Sequence, residues 1–183
     1  MTKDTILQFV CFITKLELDE FAPKWERYAV KLVTKKGELT LQQQVSETKT
    51  KFQYISQHEW PDKDSDFTFM NERKSEHFPE HNVKVVQIGG YMPVQLQRKN
   101  QQDDGAIKLI ALVGHDERDL EFYKQLSLYR HLNIHQAYYE SCSYGYVMEF
   151  FVPENKADEL LQQLKQRPGV ESGIYKECLV PHM

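Results

Sequence analysis

The apolar residues of this chain recur with two periods, one typical of β-strands and the other typical of α-helices. The segment IKLIALV, which begins at Ile107, alternates like a strand. The segment after Asn155 has apolar residues three and four positions apart, which indicates a helix with one buried face. The apolar positions of this predicted helix are Ala157, Leu160, Leu161 and Leu164.

The second half of the chain follows the order strand, helix, strand, strand, helix, strand. We expect Asp116 to cap the first of these helices, which should run to about His131. We expect Asn155 to cap the second, and Pro168–Gly169 to end it. This order is that of a ferredoxin-like βαββαβ unit.

The first half repeats that order with little residue identity. The segment TILQFVCFITKL predicts a strand, and a helix should follow from about Leu18 to Thr34. Pro23 fits this helix only if it lies within the first turn. The segments ELTLQQQVSE, KFQYISQHEW and NVKVVQIGGYMPVQLQ predict three further strands, with a short, helix-like segment before the last. Gly89–Gly90 in the last strand indicates a bulge or a close backbone approach.

A polar segment, QRKNQQDDG, separates the two halves. We therefore expect a first unit over residues 1–97, a linker over 98–105 and a second unit over 106–183. The predicted fold class is α+β, with two tandem ferredoxin-like units. Each antiparallel sheet has helices on one face only, so packing the two sheets against each other as an α/β barrel would bury both remaining faces.

Composition and charge exclude several classes of function. Hydrophobic residues make up 40% of the chain, and the formal net charge is −4, with Lys and Arg scattered among acidic residues. We therefore expect no nucleic-acid partner. No apolar run approaches the roughly 20 residues that span a bilayer, so no membrane segment is expected. The three cysteines are far apart, which favours a reducing cytoplasm, and Cys11 is expected to be a buried, inert thiol.

The segment SEHFPEH contains H-x-x-E-H, the inverted signature of zinc peptidases, at His77, Glu80 and His81. Zinc binding by this motif needs a helix that places both imidazoles on one face. Pro79 lies between the histidines and opposes helix formation there. The sequence therefore predicts a solvated loop, no peptidase and no metal site.

The first half resembles the antibiotic-biosynthesis-monooxygenase-like family of the dimeric α/β-barrel superfamily. The resemblance depends on FVCFITK, the acidic-capped helix, and KKGELTLQQQVSETKTKFQYISQHEW, and it covers residues 6–60 well and 61–96 loosely. It implies a pocket between one sheet face and its helices, with a strand-terminal Trp lining it. The haem-degrading members add an Asn on the first strand and a His about ten residues after the Trp. This chain has neither, so no cofactor is expected.

The main candidate site residues lie at the end of the third predicted strand. His58 and Trp60 should share one sheet face, and His58 is the candidate catalytic base. The candidate ligand-pocket residues are Trp60, Trp25, Tyr28 and His115. For each there is a simpler interpretation: the aromatic residues as core packing, His58 as a polar strand end, and His115 as an exposed neighbour of a helix cap.

Three functions are compatible with these residues. The first is a cofactor-independent, monooxygenase-like enzyme that acts on a small aromatic or polycyclic molecule. The second is a non-catalytic binder of a small apolar ligand. The third is an interaction module that forms a homo-oligomer through its sheet edges. The fold alone does not separate them, because one scaffold hosts many functions.

Overall fold

The computed structural model describes residues 5–33, 38–45, 51–65, 82–95, 106–126 and 131–179. The strands are β1 Ile6–Thr14, β2 Glu38–Gln44, β3 Tyr54–Trp60, β4 Val83–Gln95, β5 Ala106–Val113, β6 His131–Ala137, β7 Tyr146–Pro153 and β8 Val170–Leu179. The helices with described bounds are α1 Leu18–Val33, α2 Leu120–Gln125 and α3 Glu154–Lys165.

The strands form a closed antiparallel barrel in the order β1-β3-β2-β8-β5-β7-β6-β4. The pairs β2–β8 and β4–β6 join the two halves of the chain. The predicted α+β fold, a tandem α/β barrel, is therefore confirmed. Each of the eight described strands has a neighbour on both sides, so these strands leave no sheet edge open. Homo-oligomerisation stays a prediction, and the described strands offer it no open sheet edge.

Three apolar clusters fill the layers of the fold. One lies inside the barrel, in the lumen, and combines residues of both halves such as Leu7, Phe9 and Leu112. The second lies between the first-half strands and α1. The third lies between the second-half strands, α2 and α3, and includes the four predicted positions of α3, which are buried. Each strand therefore has one face toward the lumen and one toward a helix.

Gly89 occupies a position that a larger residue would not fit. Its φ is +112°, and a Cβ atom there would overlap the Sγ atom of Cys142. The pairing of β1 with β4 also shifts register between Phe9 and Val10, beside Gly89. Both the bulge and the close approach predicted from Gly89–Gly90 are confirmed.

The helix caps of the second half differ from the predicted ones. Asp119, not Asp116, caps α2, because its Oδ1 accepts a hydrogen bond from the backbone N–H of Phe122 at 3.0 Å. Asp116 lies instead in a turn in which the N–H of Glu117 bonds to the carbonyl of Gly114 at 3.3 Å. The predicted helix to about His131 is also too long, since α2 ends at Gln125 and β6 begins at residue 131.

Two further helix details also differ. Pro153, not Asn155, is the N-cap residue of α3, and Asn155 lies inside the helix. Pro23 lies inside α1 and beyond the first turn, so the condition on which the sequence fitted it into the helix is not met. The carbonyl of Glu17 accepts the N–H of Phe21 at 2.9 Å, so the helix is already established before Pro23.

Several predictions concern residues outside the described parts of the chain. The H-x-x-E-H residues and the linker both lie there, and the division into two units stays a prediction. Among the helices that the structure describes, none combines the length and the apolar character needed to cross a bilayer.

Candidate functional site

Strand pairing brings three residues that carry polar groups onto the face of β1 and β3 that packs toward α1. Gln8 lies opposite His58, and Ile6 lies opposite Trp60. The exposed fractions are 1% for Gln8, 2% for His58 and 0% for Trp60. Ile6 and Trp60 belong to the cluster that packs against α1, so the alternation of the two strands places Gln8 and His58 in the same layer.

Trp60 contacts both of the other residues of this group. Its indole Nε1 donates a hydrogen bond to Oε1 of Gln8 at 3.2 Å. The imidazole of His58 stacks on the indole, with ring centroids 4.0 Å apart and planes inclined by 29°. The two contacts fix the indole by its edge and its face. The prediction that His58 and Trp60 share one face is confirmed by this stack.

Helix α1 contributes the opposite wall of the layer. Trp25 is fully buried, and its indole Nε1 has no hydrogen-bond partner among the described residues. Phe21 stacks on Tyr54 with ring centroids 4.1 Å apart. The Tyr54 hydroxyl donates to the carbonyl of Leu16 at 3.0 Å, and burial is the main cause that raises the pKa of Tyr54 to about 12. The layer is thus apolar and aromatic, with a few fixed polar groups.

Of the other two predicted pocket residues, only His115 has a described side chain, and it lies away from this group. Tyr28 lies within α1, but its side chain is outside the described parts. His115 is exposed, and its Nε2 lies 2.7 Å from the carbonyl oxygen of Cys142. It lines a separate surface cleft of about 220 Å³ together with Arg118 and Tyr138.

Sequence reasoning missed Gln8. The signal was available, because Gln8 falls in the same phase of β1 as Ile6, Val10 and Phe12, which pack toward α1. A polar residue in the apolar phase of a strand is expected to need a buried hydrogen-bond partner. That partner, Trp60, could be identified only once the register of β1 and β3 was known.

The donor atoms in this layer favour organic ligands over metal ions. Its polar groups include one imidazole, one amide, one phenol hydroxyl and two indole N–H groups, whereas metal sites gather several imidazole, thiolate or carboxylate ligands. In the parts of the chain that the structure describes, no group of three or more His, Cys, Asp or Glu side chains could hold a metal ion.

Comparisons with known proteins agree at the level of fold. No protein-family model matches the chain, and no curated protein sequence matches it. An anthrone oxidase-like protein of known structure is similar, with a TM-score of 0.60 and 11% identity, over 98% of this chain and 93% of its own. A chlorite dismutase variant from Candidatus Nitrospira defluvii, in complex with cyanide, has a TM-score of 0.54 and 7% identity, over 96% and 92%.

Both similar structures are matched over nearly their whole length, so the likeness includes both halves of the barrel. Identities this low establish the fold and leave the chemistry of the site open. The similarities agree with the barrel fold that the resemblance of the first half implied. The chain has the dimeric α/β-barrel fold, and all eight described strands of the barrel come from a single chain.

Proposed function

We propose that the protein is a cofactor-independent, monooxygenase-like enzyme that oxidises a small aromatic or polycyclic molecule in the layer between β1, β3 and α1. The observation that carries the proposal is the buried imidazole of His58, stacked at 4.0 Å on Trp60. An imidazole fixed in an apolar layer is suited to take a proton from a bound substrate. The walls of Trp25, Phe21 and Tyr54 are suited to a flat, aromatic molecule.

The reaction follows from these groups and molecular oxygen. His58 takes a proton from a methylene group that is made acidic by flanking aromatic rings and a carbonyl group. The carbanion then reduces O₂ and combines with it to form a hydroperoxide. Loss of water from the hydroperoxide leaves a carbonyl group. In sum, CH₂ and O₂ give C=O and H₂O, so the substrate is its own reductant, and the proton held by His58 leaves in the water.

The two indole groups have separate roles in this proposal. Trp60 orients His58 by stacking and is itself held by Gln8. The Trp25 N–H, which lacks an acceptor among the described residues, is available to a carbonyl oxygen of the substrate. A buried N–H without a partner costs about 1–3 kcal/mol, so a ligand that accepts this bond is stabilised. The name of the anthrone oxidase-like protein supports an anthrone as first trial substrate.

The test measures oxygen consumption with anthrone as substrate in two His58 variants. His58→Ala removes the base and leaves space, whereas His58→Phe removes the base and keeps a ring on Trp60. We expect both to lower kcat by about 10²-fold or more. Added imidazole should restore part of the activity of His58→Ala and none of that of His58→Phe, because only the first has room for it.

Two results would contradict the proposal. Full activity in His58→Phe would exclude His58 as the base. Quenching of Trp fluorescence by anthrone without any oxygen consumption in the wild-type protein would instead favour the alternative function, a non-catalytic binder that uses the same layer.

A further inference from the structure

One half of the barrel lumen is apolar and closed at its end. The connection between β6 and β7, residues 138–145, lies across this end, and we call this segment the plug. The Sγ of Cys142 donates to the carbonyl of Gly90 at 3.3 Å, and the N–H of Ser143 donates to that of Ile88 at 3.1 Å. The lumen next to this plug is filled by Tyr91, Leu112 and Val147.

The other half of the lumen contains a polar group. The Glu149 carboxylate forms an ion pair with Lys108 through Oε1, and its Oε2 lies 3.0 Å from Nε2 of His135. These three residues come from β5, β6 and β7 and face the lumen. On the opposite wall, Nε2 of Gln42 donates to Oε1 of Gln57 at 3.1 Å. We call these five residues the lumen polar group.

Exposure falls stepwise along this group from the end of the barrel inward. The side chain of Lys108 is 19% exposed, that of Glu149 is 5% exposed and that of His135 is 1% exposed. The long, flexible Lys108 side chain therefore separates solvent from the deeper groups. A small molecule entering at this end would meet Lys108 first and reach His135 last.

The charge of Glu149 determines which nitrogen of a neutral His135 ring carries the proton. Burial alone would raise its pKa, but the Lys108 charge and the His135 hydrogen bond outweigh burial and hold the pKa well below its ordinary value. Glu149 is therefore a carboxylate, which can only accept hydrogen bonds. A neutral His135 ring that donates to this carboxylate carries its proton on Nε2, which leaves Nδ1 as an acceptor.

Two buried acceptor atoms in the lumen polar group lack partners. Neither Nδ1 of His135 nor Oε1 of Gln42 has a hydrogen-bond partner among the residues that the structure describes. Their side chains are 1% and 0% exposed. Buried polar atoms are nearly always hydrogen-bonded, so two such atoms in one lumen point to a ligand that supplies donors.

We propose that the polar half of the barrel lumen is a second binding site, which takes a small aromatic alcohol whose hydroxyl group donates to Nδ1 of His135. A donor is required because both open atoms are acceptors. An aromatic body fits because the Phe9 ring lies 6.1 Å from the His135 ring, and Tyr91 packs edge-on against Phe9 at 5.7 Å. This site is separate from the layer under α1 and does not depend on the oxygenase proposal.

The probe is 4-fluorophenol, added to the wild-type protein labelled with ¹⁵N-histidine at a pH where histidines are neutral. We expect a saturable ¹⁵N shift of His135 Nδ1 and saturable broadening of the ¹⁹F signal. His58, which lies on the sheet face that packs toward α1 and not in the lumen, is the internal reference for the ¹⁵N shift. No saturable change at His135 would overturn the proposal, and a change only at His58 would assign the phenol to the α1 layer instead.

Variants separate the contribution of each acceptor. His135→Leu should abolish the saturable ¹⁹F effect, and Gln42→Met should leave it unchanged, because the single hydroxyl hydrogen of 4-fluorophenol is donated to His135. Gln136→Leu is the matched control, because Gln136 is the exposed neighbour of His135 on β6, and it should bind as the wild type does. Unchanged binding in folded His135→Leu would overturn the proposal, and the wild-type experiment decides it if that variant does not fold.

Discussion

The indole Nε1 of Trp60 donates to the side-chain oxygen of Gln8 across 3.2 Å, which ties the last residue of β3 to β1 in a fully buried layer. This is a hydrogen bond between two side chains that are 52 residues apart in the sequence. It belongs to the class of buried polar contacts whose loss is costly, because the remaining partner cannot reach water.

The first prediction concerns this bond. Trp60→Phe should lower the free energy of unfolding by about 1–3 kcal/mol beyond the cost of the smaller ring, since the oxygen of Gln8 loses its donor. Trp25→Phe is the matched control, because the Trp25 N–H has no acceptor among the described residues. Denaturant unfolding of both variants measures the difference. Equal losses would show that the hydrogen bond adds nothing.

The second prediction concerns the dependence of stability on pH. The pKa of Glu149 is lowered in the folded protein relative to its ordinary value of 4.5, so the unfolded chain binds the proton more readily. The stabilisation is therefore complete above pH 4.5 and is lost as the pH falls toward the folded-state pKa. Glu149→Gln should flatten the decline of the unfolding free energy in acid. An unchanged slope in that variant would contradict this assignment.

The third prediction concerns the contact between β4 and the plug. Gly89→Ala should destabilise the protein by about 3 kcal/mol, from strain at positive φ plus overlap with Cys142. Gly169→Ala is the control, because Gly169 also has positive φ but a Cβ there meets nothing within 4 Å. Thermal unfolding should rank them in this order. The double variant Gly89→Ala/Cys142→Ala should recover part of the loss, and no recovery would exclude the overlap as its cause.

The fourth prediction concerns Arg167, which joins the turn between α3 and β8 to α2. Its guanidinium lies 4.3 Å from the ring centroid of Phe122 and donates to Glu117 at 2.9 Å. Arg167→Lys should cost about 1 kcal/mol of unfolding free energy, since an ammonium cannot stack and bond to Glu117 at once. Lys124→Arg, at an exposed ion pair with Glu121, should change little. A loss of the same size in Lys124→Arg would show that the contacts of Arg167 with Phe122 and Glu117 do not account for the effect.

The sequence predicted the strands well because apolar residues alternate along them, as Ile107, Leu109, Ala111 and Val113 do in β5. It predicted α3 equally well, since four buried positions at helical spacing leave little choice. The cap of α2 was predicted at Asp116 because Asp116, Glu117 and Asp119 all follow β5. The structure shows that the Glu117 carboxylate accepts two backbone N–H groups, those of Arg118 and Asp119, which delays the helix.

For the candidate site, the sequence predicted only which residues of one strand share a face. Alternation within β3 placed His58 beside Trp60, and the structure confirms that stack. The partner Gln8, however, depends on the register between β1 and β3, and the lumen polar group depends on how strands from both halves meet. Such contacts link residues that are distant in the sequence, and no local periodicity encodes them.

The place of β8 in the barrel has a consequence for the order of folding during synthesis. β8 pairs with β2 and with β5, and the hydroxyl of Tyr175 bonds to the carbonyl of Phe52 across 123 residues of sequence. Until β8 leaves the ribosome, β2 and β5 each lack a neighbour, and the lumen stays open to water. The nascent chain therefore exposes the apolar faces of these strands until β8 is made, a state that chaperones recognise. Closure of the barrel waits for β8, and with so many long-range pairings we expect it to be slow.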